Sequence, residues 1–258
     1  MLWIPGAKGL VGSTLAKLVP DALQTGSEVD ISHRSAVEAF VKKHPKIDRI
    51  INCAAFSMVD AAEEHRNLAY AANVLGPENL GRLQIPWIHL STDYVFPGDG
   101  NRPLVETDPT GPVNYYGQTK LLGEQRALAL GACVVRTSWV FGPGGKNFVS
   151  KLLQLLKTEP QVRLTNDQWS RFTYAPDLAA ALLKLPLKPN LFHYANRGVA
   201  TKYDFALALS DRVIAVPSSF FPTQCRRPVY TAFNTAKIES FLSIRPWTEA
   251  LKEFLCAS

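Results

Sequence analysis

The sequence lacks any apolar run that approaches the ~20 residues of a membrane-spanning helix. Residues 1–4 are apolar, but Pro5 and Gly6 follow at once and no basic segment precedes them, so we expect no secretory signal peptide. The four cysteines show no C-x-x-C spacing, which favours free thiols in a reducing compartment. We therefore predict a cytoplasmic protein without a membrane partner.

Clustered positive charge is also lacking, although the formal net charge of the 258 residues is +6. The densest basic groups are the pairs 42–43 and 226–227, and no nucleic-acid-binding motif surrounds either of them. The sequence therefore predicts no nucleic-acid partner. The positive excess favours anionic small molecules, because a cleft of one charge sign concentrates ligands of the other.

A glycine turn stands near the start of the chain. An apolar stretch at 1–4 predicts a strand, residues 13–19 predict a helix, and Gly6, Gly9 and Gly12 lie between them. Glycines allow a tight turn and let backbone N–H groups approach a pyrophosphate at the helix N-terminus. The spacing is G-x-x-G-x-x-G rather than G-x-G-x-x-G, but its context is the one that a dinucleotide site requires.

The second strand, predicted at 22–25, ends without an acid. An NAD site would usually place Asp or Glu there to hold the ribose 2′-hydroxyl, whereas this chain has Gln24, Thr25 and Gly26. No carboxylate would then repel a 2′-phosphate, and Lys8 or Arg34 would attract it. This pattern favours NADPH, with NADH as the alternative.

Three further apolar strands are predicted at 49–55, 86–93 and 132–139, and helices separate them. Strand–helix alternation of this kind predicts an α/β protein with a doubly wound parallel sheet of the Rossmann type. Small residues follow the strand at 49–55, and hydroxyls end the strand at 86–93. Both features lie at the carboxyl edge of the sheet, where ligands bind in such folds.

Tyr116 and Lys120 stand one helical turn apart, so their side chains leave the same face of a helix. An ammonium stabilises a nearby phenolate and so lowers the pKa of the phenol. Such a pair can donate a proton to a carbonyl oxygen while hydride reaches its carbon. The spacing is also that of an ordinary surface pair. The glycine turn and the Ser-Thr of 91–92, in this order along the chain, favour the catalytic interpretation.

The order of these motifs resembles the extended short-chain dehydrogenase/reductase superfamily. Longer strings are similar to those of the dTDP-4-dehydrorhamnose reductase family: L-S-T-D-Y-V-F (90–96), Y-G-Q-T-K (116–120), R-T-S-W-V (136–140), N-D-Q (166–168), R-P (227–228) and P-W (246–247). The resemblance spans the whole chain.

The resemblance implies roles for individual side chains. Tyr116 would donate the proton, Lys120 would lower its pKa and bind the nicotinamide ribose, and Thr92 would hydrogen-bond the substrate carbonyl. The implied cofactor contacts are Gly6, Lys8, Gly9, Leu10, Val11, Gly12, Asp30, Ile31, Ala54, Ala55, Phe56, Ser57, Asn73, Ser91, Tyr116 and Lys120. The implied substrate contacts are Thr92, Asp93, Trp139, Arg171 and Arg227.

Some of these residues also have plainer interpretations. Asp30 or Ser32 would suit the cap of a helix predicted at 35–44. Asn73 alone is typical of a helix surface, and Trp139 alone of a core. These interpretations stay open beside the cofactor and substrate roles.

The resemblance implies an NADPH-dependent reductase of a nucleotide-linked 4-keto-6-deoxy sugar, first of all dTDP-4-dehydro-L-rhamnose. Two alternatives are a non-catalytic NADP-binding regulatory subunit on the same fold and a nucleotide-sugar epimerase or dehydratase. Residues 1–140 would form the NADP(H)-binding Rossmann domain. Residues 141–258 would be mainly a substrate-binding lobe interleaved with the core.

Two departures from the family pattern affect these expectations. Thr14 stands where some relatives carry a Glu that helps to bind Mg²⁺ at a dimer interface, so we predict no metal site and a monomer or weak homodimer. After N-D-Q, relatives carry an aromatic residue, Gly, a small residue and Pro-Thr. This chain has W-S-R-F-T at 169–173, and Arg171 would contact phosphate or reshape the sugar pocket.

Overall fold

The computed structural model describes residues 1–144 and 147–256. Within them the strands are β1 (Leu2–Pro5), β2 (Leu23–Thr25), β3 (Arg49–Asn52), β4 (Trp87–Thr92), β5 (Cys133–Thr137), β6 (Val140–Phe141), β7 (Val162–Thr165), β8 (Ser170–Arg171), β9 (Thr173–Tyr174), β10 (Asn190–Tyr194), β11 (Val199–Ala200) and β12 (Val213–Val216).

The helices of the same residues are α1 (Leu10–Leu18), α2 (Arg34–Lys43), α3 (Ala61–Glu64), α4 (Arg66–Tyr70), α5 (Gly76–Gly81), α6 (Tyr115–Ala129), α7 (Phe148–Thr158), α8 (Ala175–Leu182), α9 (Lys202–Leu207), α10 (Ala236–Glu239) and α11 (Trp247–Cys256). A π-helical turn, Ala71–Leu75, joins α4 to α5. Single 3₁₀ turns occupy Asp93–Val95 and Ser218–Phe220. No helix of the described residues is long and apolar enough to span a membrane.

Six parallel strands form the main sheet in the order β10-β5-β4-β3-β1-β2. The predicted doubly wound parallel sheet is therefore confirmed. The strand order reverses between β1 and β3, so the loops that follow these strands diverge at their carboxyl ends. Open α/β sheets bind ligands in such a crevice.

The sheet is buried because its strands are almost continuously apolar, as parallel strands covered on both faces must be. One face packs on α1 and α8 through Leu15, Leu178 and Leu182. Trp3, Trp87 and their neighbours fill the other face.

Helix α2 begins without a side-chain cap, because His33 occupies the N-cap position and makes no such bond. The prediction that Asp30 or Ser32 caps this helix is wrong. Asp30 instead accepts the Ser32 backbone N–H at 2.9 Å and lies 3.1 Å from His33 Nδ1.

The second half of the chain contributes to the main sheet as well as to a smaller structure. Strand β10 pairs with β5, and α8 packs against α1. The short pairs β6–β9, β7–β12 and β8–β11 surround a second core rich in aromatic rings, which includes Phe172 and Phe205. The division at residue 140 stays a prediction.

Candidate active site

The candidate site lies at the carboxyl end of β4, where the strand leads into the 3₁₀ turn Asp93–Val95. Thr92 ends the strand, and helix α6 brings Tyr116 beside it. The Asn114 side chain caps α6 by accepting the Gly117 N–H at 2.8 Å. A Cβ on Gly117 would overlap the Tyr94 carbonyl, so this glycine lets the helix approach the turn closely.

Tyr116 is held in a setting that keeps its proton. Burial raises the pKa of the Tyr116 phenol, and a hydrogen bond from the Thr92 side chain acts in the opposite direction. The Asp93 carboxylate and the Tyr94 phenol raise that pKa further. The Tyr94 ring meets the Tyr116 ring edge-on at 5.7 Å between centroids. The phenol is therefore neutral near pH 7 and available as a proton donor.

Lys120 is buried one turn further along α6, and its ammonium donates to the Leu90 carbonyl at 2.6 Å. Burial lowers the pKa of Lys120 to about 8, while Glu124 and Cys53 raise it. The resemblance implied that Lys120 lowers the pKa of Tyr116. In this structure the group that does so is Thr92.

Asp93 is surrounded by hydroxyl groups. Its carboxylate accepts hydrogen bonds from Thr231 at 2.6 Å, Ser170 at 3.2 Å and Thr92 at 3.2 Å. Burial raises the pKa of Asp93 to about 6, although these hydrogen bonds oppose the shift. The carboxyl group of Asp93 thus contacts three side-chain hydroxyls, and its predicted substrate contact stays a prediction.

Ser91 belongs to a buried polar network behind the site. Its hydroxyl donates to Glu124 at 2.7 Å, and Glu124 also receives Arg136 in a two-point ion pair at 2.5 and 2.9 Å. The Ser91 hydroxyl can still accept a hydrogen bond after donating its proton to Glu124, and its predicted cofactor contact stays a prediction.

The glycine turn forms a cradle of the predicted shape. Gly6 has a φ of 78°, and a Cβ there would overlap the Ala54 backbone. A Cβ on Gly12 would overlap Gly6 and Ala7. Helix α1 starts after Gly9 with no side-chain cap, so the N–H groups of its first turn, at Leu10, Val11 and Gly12, remain available to an anion.

The end of the cradle near β2 differs from the prediction. Lys8 is exposed and donates to Glu28 at 2.9 Å, while the Gly26 N–H donates to the same carboxylate at 2.5 Å. These bonds lower the pKa of Glu28 to about 2. The carboxylate of Glu28 therefore lies near the end of β2, just beyond residues 24–26, where the sequence predicted no acid.

Ile31 and Asn73 also occupy unexpected positions. Ile31 is buried and packs on Gly76, and its predicted contact with the adenosine end of the cofactor stays a prediction. Asn73 is buried rather than on a helix surface. Its amide bonds both backbone groups of Phe56 at 2.9 and 3.1 Å and donates to Thr119 at 3.0 Å. Asn73 thereby fixes the loop after β3, on which Ala55 and Ser57 are exposed.

Trp139 adopts a left-handed backbone with a φ of 40°, which is rare for a large side chain. Its ring meets the Phe172 ring at 5.0 Å between centroids, and the Lys202 ammonium lies 5.6 Å from the Trp139 ring centre. Strained backbone of this kind concentrates at functional sites. The position suits the predicted role in lining a ligand pocket.

The two predicted substrate arginines differ. Arg171 donates to Thr235 at 3.0 Å, next to Glu239 on α10, so its guanidinium is directed at that helix and not at Tyr116. The predicted role of Arg171, to contact phosphate or to reshape the sugar pocket, stays a prediction. Arg227 pairs with Asp60 at 2.6 Å and hydrogen-bonds Tyr94, the neighbour of Tyr116.

A cavity of about 810 Å³ opens beside Arg227 between α7, β7 and the segment 218–229. Its basic lining residues are Lys151, Arg163, Lys202, Arg226 and Arg227. Lys202 forms no hydrogen bond or ion pair with any described residue, and it also lies 5.7 Å from the Phe148 ring centre. Burial lowers the pKa of Lys202 to about 8. An anionic ligand in this cavity would pair with these basic side chains.

Sequence reasoning missed Tyr94, Glu124, Ser170, Lys202 and Thr231. Of these, only Ser170 lies in the segment 169–173, where the sequence differs from the family pattern. Thr231 comes from a distant part of the chain, and no local pattern connects it with Asp93. Among residues 1–144 and 147–256, no three His, Cys, Asp or Glu side chains cluster in a way that would hold a metal.

Comparison with known proteins adds four likenesses. The profile of a family described as the RmlD substrate binding domain matches residues 1–258. A dTDP-4-dehydrorhamnose reductase of Mycolicibacterium smegmatis is 38% identical over 98% of this chain and 84% of its own. A dTDP-4-keto-6-deoxy-D-glucose reductase of Streptomyces niveus is 36% identical over 97% and 94%. The crystal structure of a dTDP-4-dehydrorhamnose reductase of Bacillus anthracis in complex with NADP superposes with a TM-score of 0.94 at 30% identity, covering 100% of this chain and 99% of that one.

Proposed function

Because the chain belongs to the RmlD substrate-binding-domain family, the family of dTDP-4-dehydrorhamnose reductases, we propose that it reduces a nucleotide-linked 4-keto-6-deoxy sugar with NADPH. The first candidate substrate is dTDP-4-dehydro-L-rhamnose, which would become dTDP-L-rhamnose. The Streptomyces niveus relative is named for a different 4-keto sugar at similar identity, so the sugar itself is the part that an assay decides.

One observation carries the proposal: Thr92 ends β4 beside Tyr116 of α6 at the carboxyl edge of the sheet, and Lys120 is buried one turn further along that helix. When bound, a reduced nicotinamide would supply hydride to the carbonyl carbon. Tyr116 donates its proton to the oxygen as negative charge develops there, which balances that charge. Thr92 holds the same oxygen. Lys120 orients the site through the Leu90 carbonyl and a ribose hydroxyl.

The residues present fit the dinucleotide. The uncapped first turn of α1 and the close backbone of Gly6 and Gly12 suit a pyrophosphate, which needs N–H donors and space for approach. Asn73 holds the Phe56 backbone so that the loop after β3 can line the middle of the cofactor. NADPH is the proposed cofactor, and NADH is the alternative because of Glu28.

The basic cavity suits the diphosphate of a nucleotide sugar. Lys202 lies between the Trp139 and Phe148 rings without a carboxylate partner, and Arg227 lies between Asp60 and the cavity. A diphosphate bound there would neutralise these cations, while the Trp139 ring would face the sugar. Arg227, which lines the cavity, interacts with Tyr94, and the Tyr94 ring in turn meets the ring of Tyr116.

The proposal includes a cytoplasmic monomer or weak homodimer with no nucleic-acid partner. The absence of any disulfide among the four cysteines supports a reducing compartment. Many surface basic groups pair with acids, including Arg34, Arg82, Arg102 and Arg245. Such pairing reduces the positive charge that these side chains present to an anionic polymer.

The test is the rate of NADPH oxidation with dTDP-4-dehydro-L-rhamnose generated in the same tube, for the wild type and for Tyr116→Phe. The change removes the proton donor, so turnover should fall by about 10²–10⁴-fold while NADPH binding persists. Tyr115→Phe is the matched control, because Tyr115 is the neighbouring helical Tyr and stacks on Arg66 instead.

Full activity of Tyr116→Phe would refute the assigned chemistry. Wild-type NADPH binding without reduction of any 4-keto sugar would instead indicate the regulatory alternative. A purified protein that retains bound NAD through purification would favour an epimerase or dehydratase.

A further inference from the structure

Asp93 is a buried titratable group to which the proposed reaction assigns no role. Three chain segments converge on its carboxyl group: Thr92 on Oδ1, and both Ser170 and Thr231 on Oδ2. No described residue forms an ion pair with it. A buried carboxylate contacted only by neutral hydroxyls is an uncommon arrangement, since buried charges are usually paired.

The hydroxyl of Thr92 has one proton, and several acceptors compete for it. Thr92 already accepts the Tyr94 backbone N–H at 3.3 Å. When Asp93 is ionised it can only accept, so Thr92 must donate its proton to Oδ1. The hydroxyl then has no proton left to donate towards Tyr116 or a substrate carbonyl. When Asp93 is protonated, its own O–H can donate to Thr92, which frees the Thr92 proton.

We propose that Asp93 is a positioning residue whose protonated form donates to Thr92 and turns the Thr92 hydroxyl towards the substrate carbonyl. The carbonyl oxygen then receives two donors, Thr92 and Tyr116. The ionised form draws the Thr92 proton away and leaves Tyr116 as the single donor. In this role Asp93 acts through Thr92.

The electrostatics around Asp93 agree with this geometry. Burial raises its pKa to about 6, so both forms are accessible in the neutral range. The titratable groups that interact with it are Tyr94 on its own turn, Tyr116 on α6 and Lys202 on α9. Both phenols stay neutral below pH 9, and Lys202 is cationic through most of that range. Lys202 favours the ionised form of Asp93, whereas burial favours the neutral one.

The inference rests on the proposed function, and Asp93→Asn tests it. Two hydroxyls donate to Oδ2 and one contacts Oδ1, so the amide oxygen of Asn should take the Oδ2 position and its NH₂ should face Thr92. The variant would then hold Thr92 permanently in the donating arrangement. In the wild type, kcat/KM should fall above the pKa of Asp93 as the ionised fraction rises, and should level off about tenfold lower, where Tyr116 is the single donor. This fall is the alkaline limb of the pH profile. The pH profile of Asp93→Asn should lack this limb, and its kcat/KM at pH 8 should exceed that of the wild type by about tenfold.

Thr231→Val is a second test, in which the alkaline limb of the pH profile should shift rather than disappear. Its hydroxyl lowers the pKa of Asp93, so removing it should move the limb to higher pH while the KM for NADPH stays unchanged. An Asp93→Asn variant that folds and binds NADPH but loses activity at every pH would overturn the inference, because the negative charge would then be required. The same pH limb in Asp93→Asn and the wild type would also overturn it.

A ¹³C NMR titration of the Asp93 carboxyl separates this inference from the proposed function. The signal is assigned by its absence in Asp93→Asn. A midpoint near pH 6 that rises in Thr231→Val supports the inference even if the tested sugar is not reduced. A midpoint in the ordinary range near 4 refutes it even if the sugar is reduced.

Discussion

At the scale of single residues, the pair Tyr116 and Lys120 illustrates what spacing can and cannot predict. The spacing placed both side chains on one face of α6, and the structure agrees. The hydrogen-bond partners were not predictable, because they come from β4: Leu90 offers its carbonyl to Lys120, and Thr92 reaches Tyr116. Residue types and periodicity predict which groups approach the site. The ends of neighbouring strands determine what each group contacts.

Glu28 leads to a prediction about cofactor choice. Its carboxylate binds Lys8 and the Gly26 N–H at the end of β2, where acids in related folds hold a ribose 2′-hydroxyl. Glu28→Gln removes the negative charge and releases Lys8 to meet a 2′-phosphate. We expect the KM for NADPH to fall several-fold, while the KM for NADH stays the same or rises.

Steady-state kinetics with the two reduced cofactors measure this change. Glu38→Gln is the matched control, since Glu38 forms an exposed ion pair with Arg34 on α2. An unchanged ratio of the two KM values in Glu28→Gln would show that this carboxylate lies outside the cofactor's reach.

At the scale of elements, helix α6 depends on glycines that its periodicity does not explain. Gly123 lies in the middle of the helix, where glycine costs about 1 kcal/mol relative to alanine. A Cβ at that position would overlap the Asn73 carbonyl in the π-helical turn. The helix therefore packs closely against the segment whose Asn73 side chain holds the Phe56 loop.

Gly123→Ala should destabilise the protein by about 1–3 kcal/mol, because the overlap outweighs the gain in helix propensity. The midpoint of urea unfolding measures the loss, and NADPH affinity should fall with it as Asn73 shifts. Gly100→Ala is the control, since no atom of the described residues lies within 4 Å of its added Cβ. An increase in stability for Gly123→Ala would show that the contact with the π-helical turn relaxes freely.

Element positions were the most predictable part of the chain. The apolar runs gave β1, β3, β4 and β5 because buried parallel strands need continuous hydrophobic residues. The cap of α2 was predicted wrongly, since Asp30 bonds its own turn instead of the helix. Local patterns show that a capping residue is available. They do not show which of two nearby N–H groups it bonds.

At the scale of the whole molecule, the second half of the chain completes the core of the first. Strand β10 covers the edge of β5, and α8 fills the face of the sheet beside α1. Local composition could not predict this pairing, because β10 is as apolar as a strand of a separate lobe would be. The hydroxyls of Ser170 and Thr231, which reach Asp93 from the second half, extend the same connection into the site.

This interleaving predicts one cooperative unfolding transition. Trp3 lies in the main core and Trp247 in the aromatic core of the second half, so fluorescence and circular dichroism should report the same midpoint. NADPH at a hundred times its Kd should stabilise the whole fold by about 2.7 kcal/mol. For a protein of this size that corresponds to a rise in Tm of roughly 5–11 °C. A calorimetric scan with two transitions, of which NADPH shifts only one, would contradict the prediction and show that residues beyond 140 unfold separately. A single peak that moves as a unit is expected, because removing β10 would expose β5 along the edge of the main sheet.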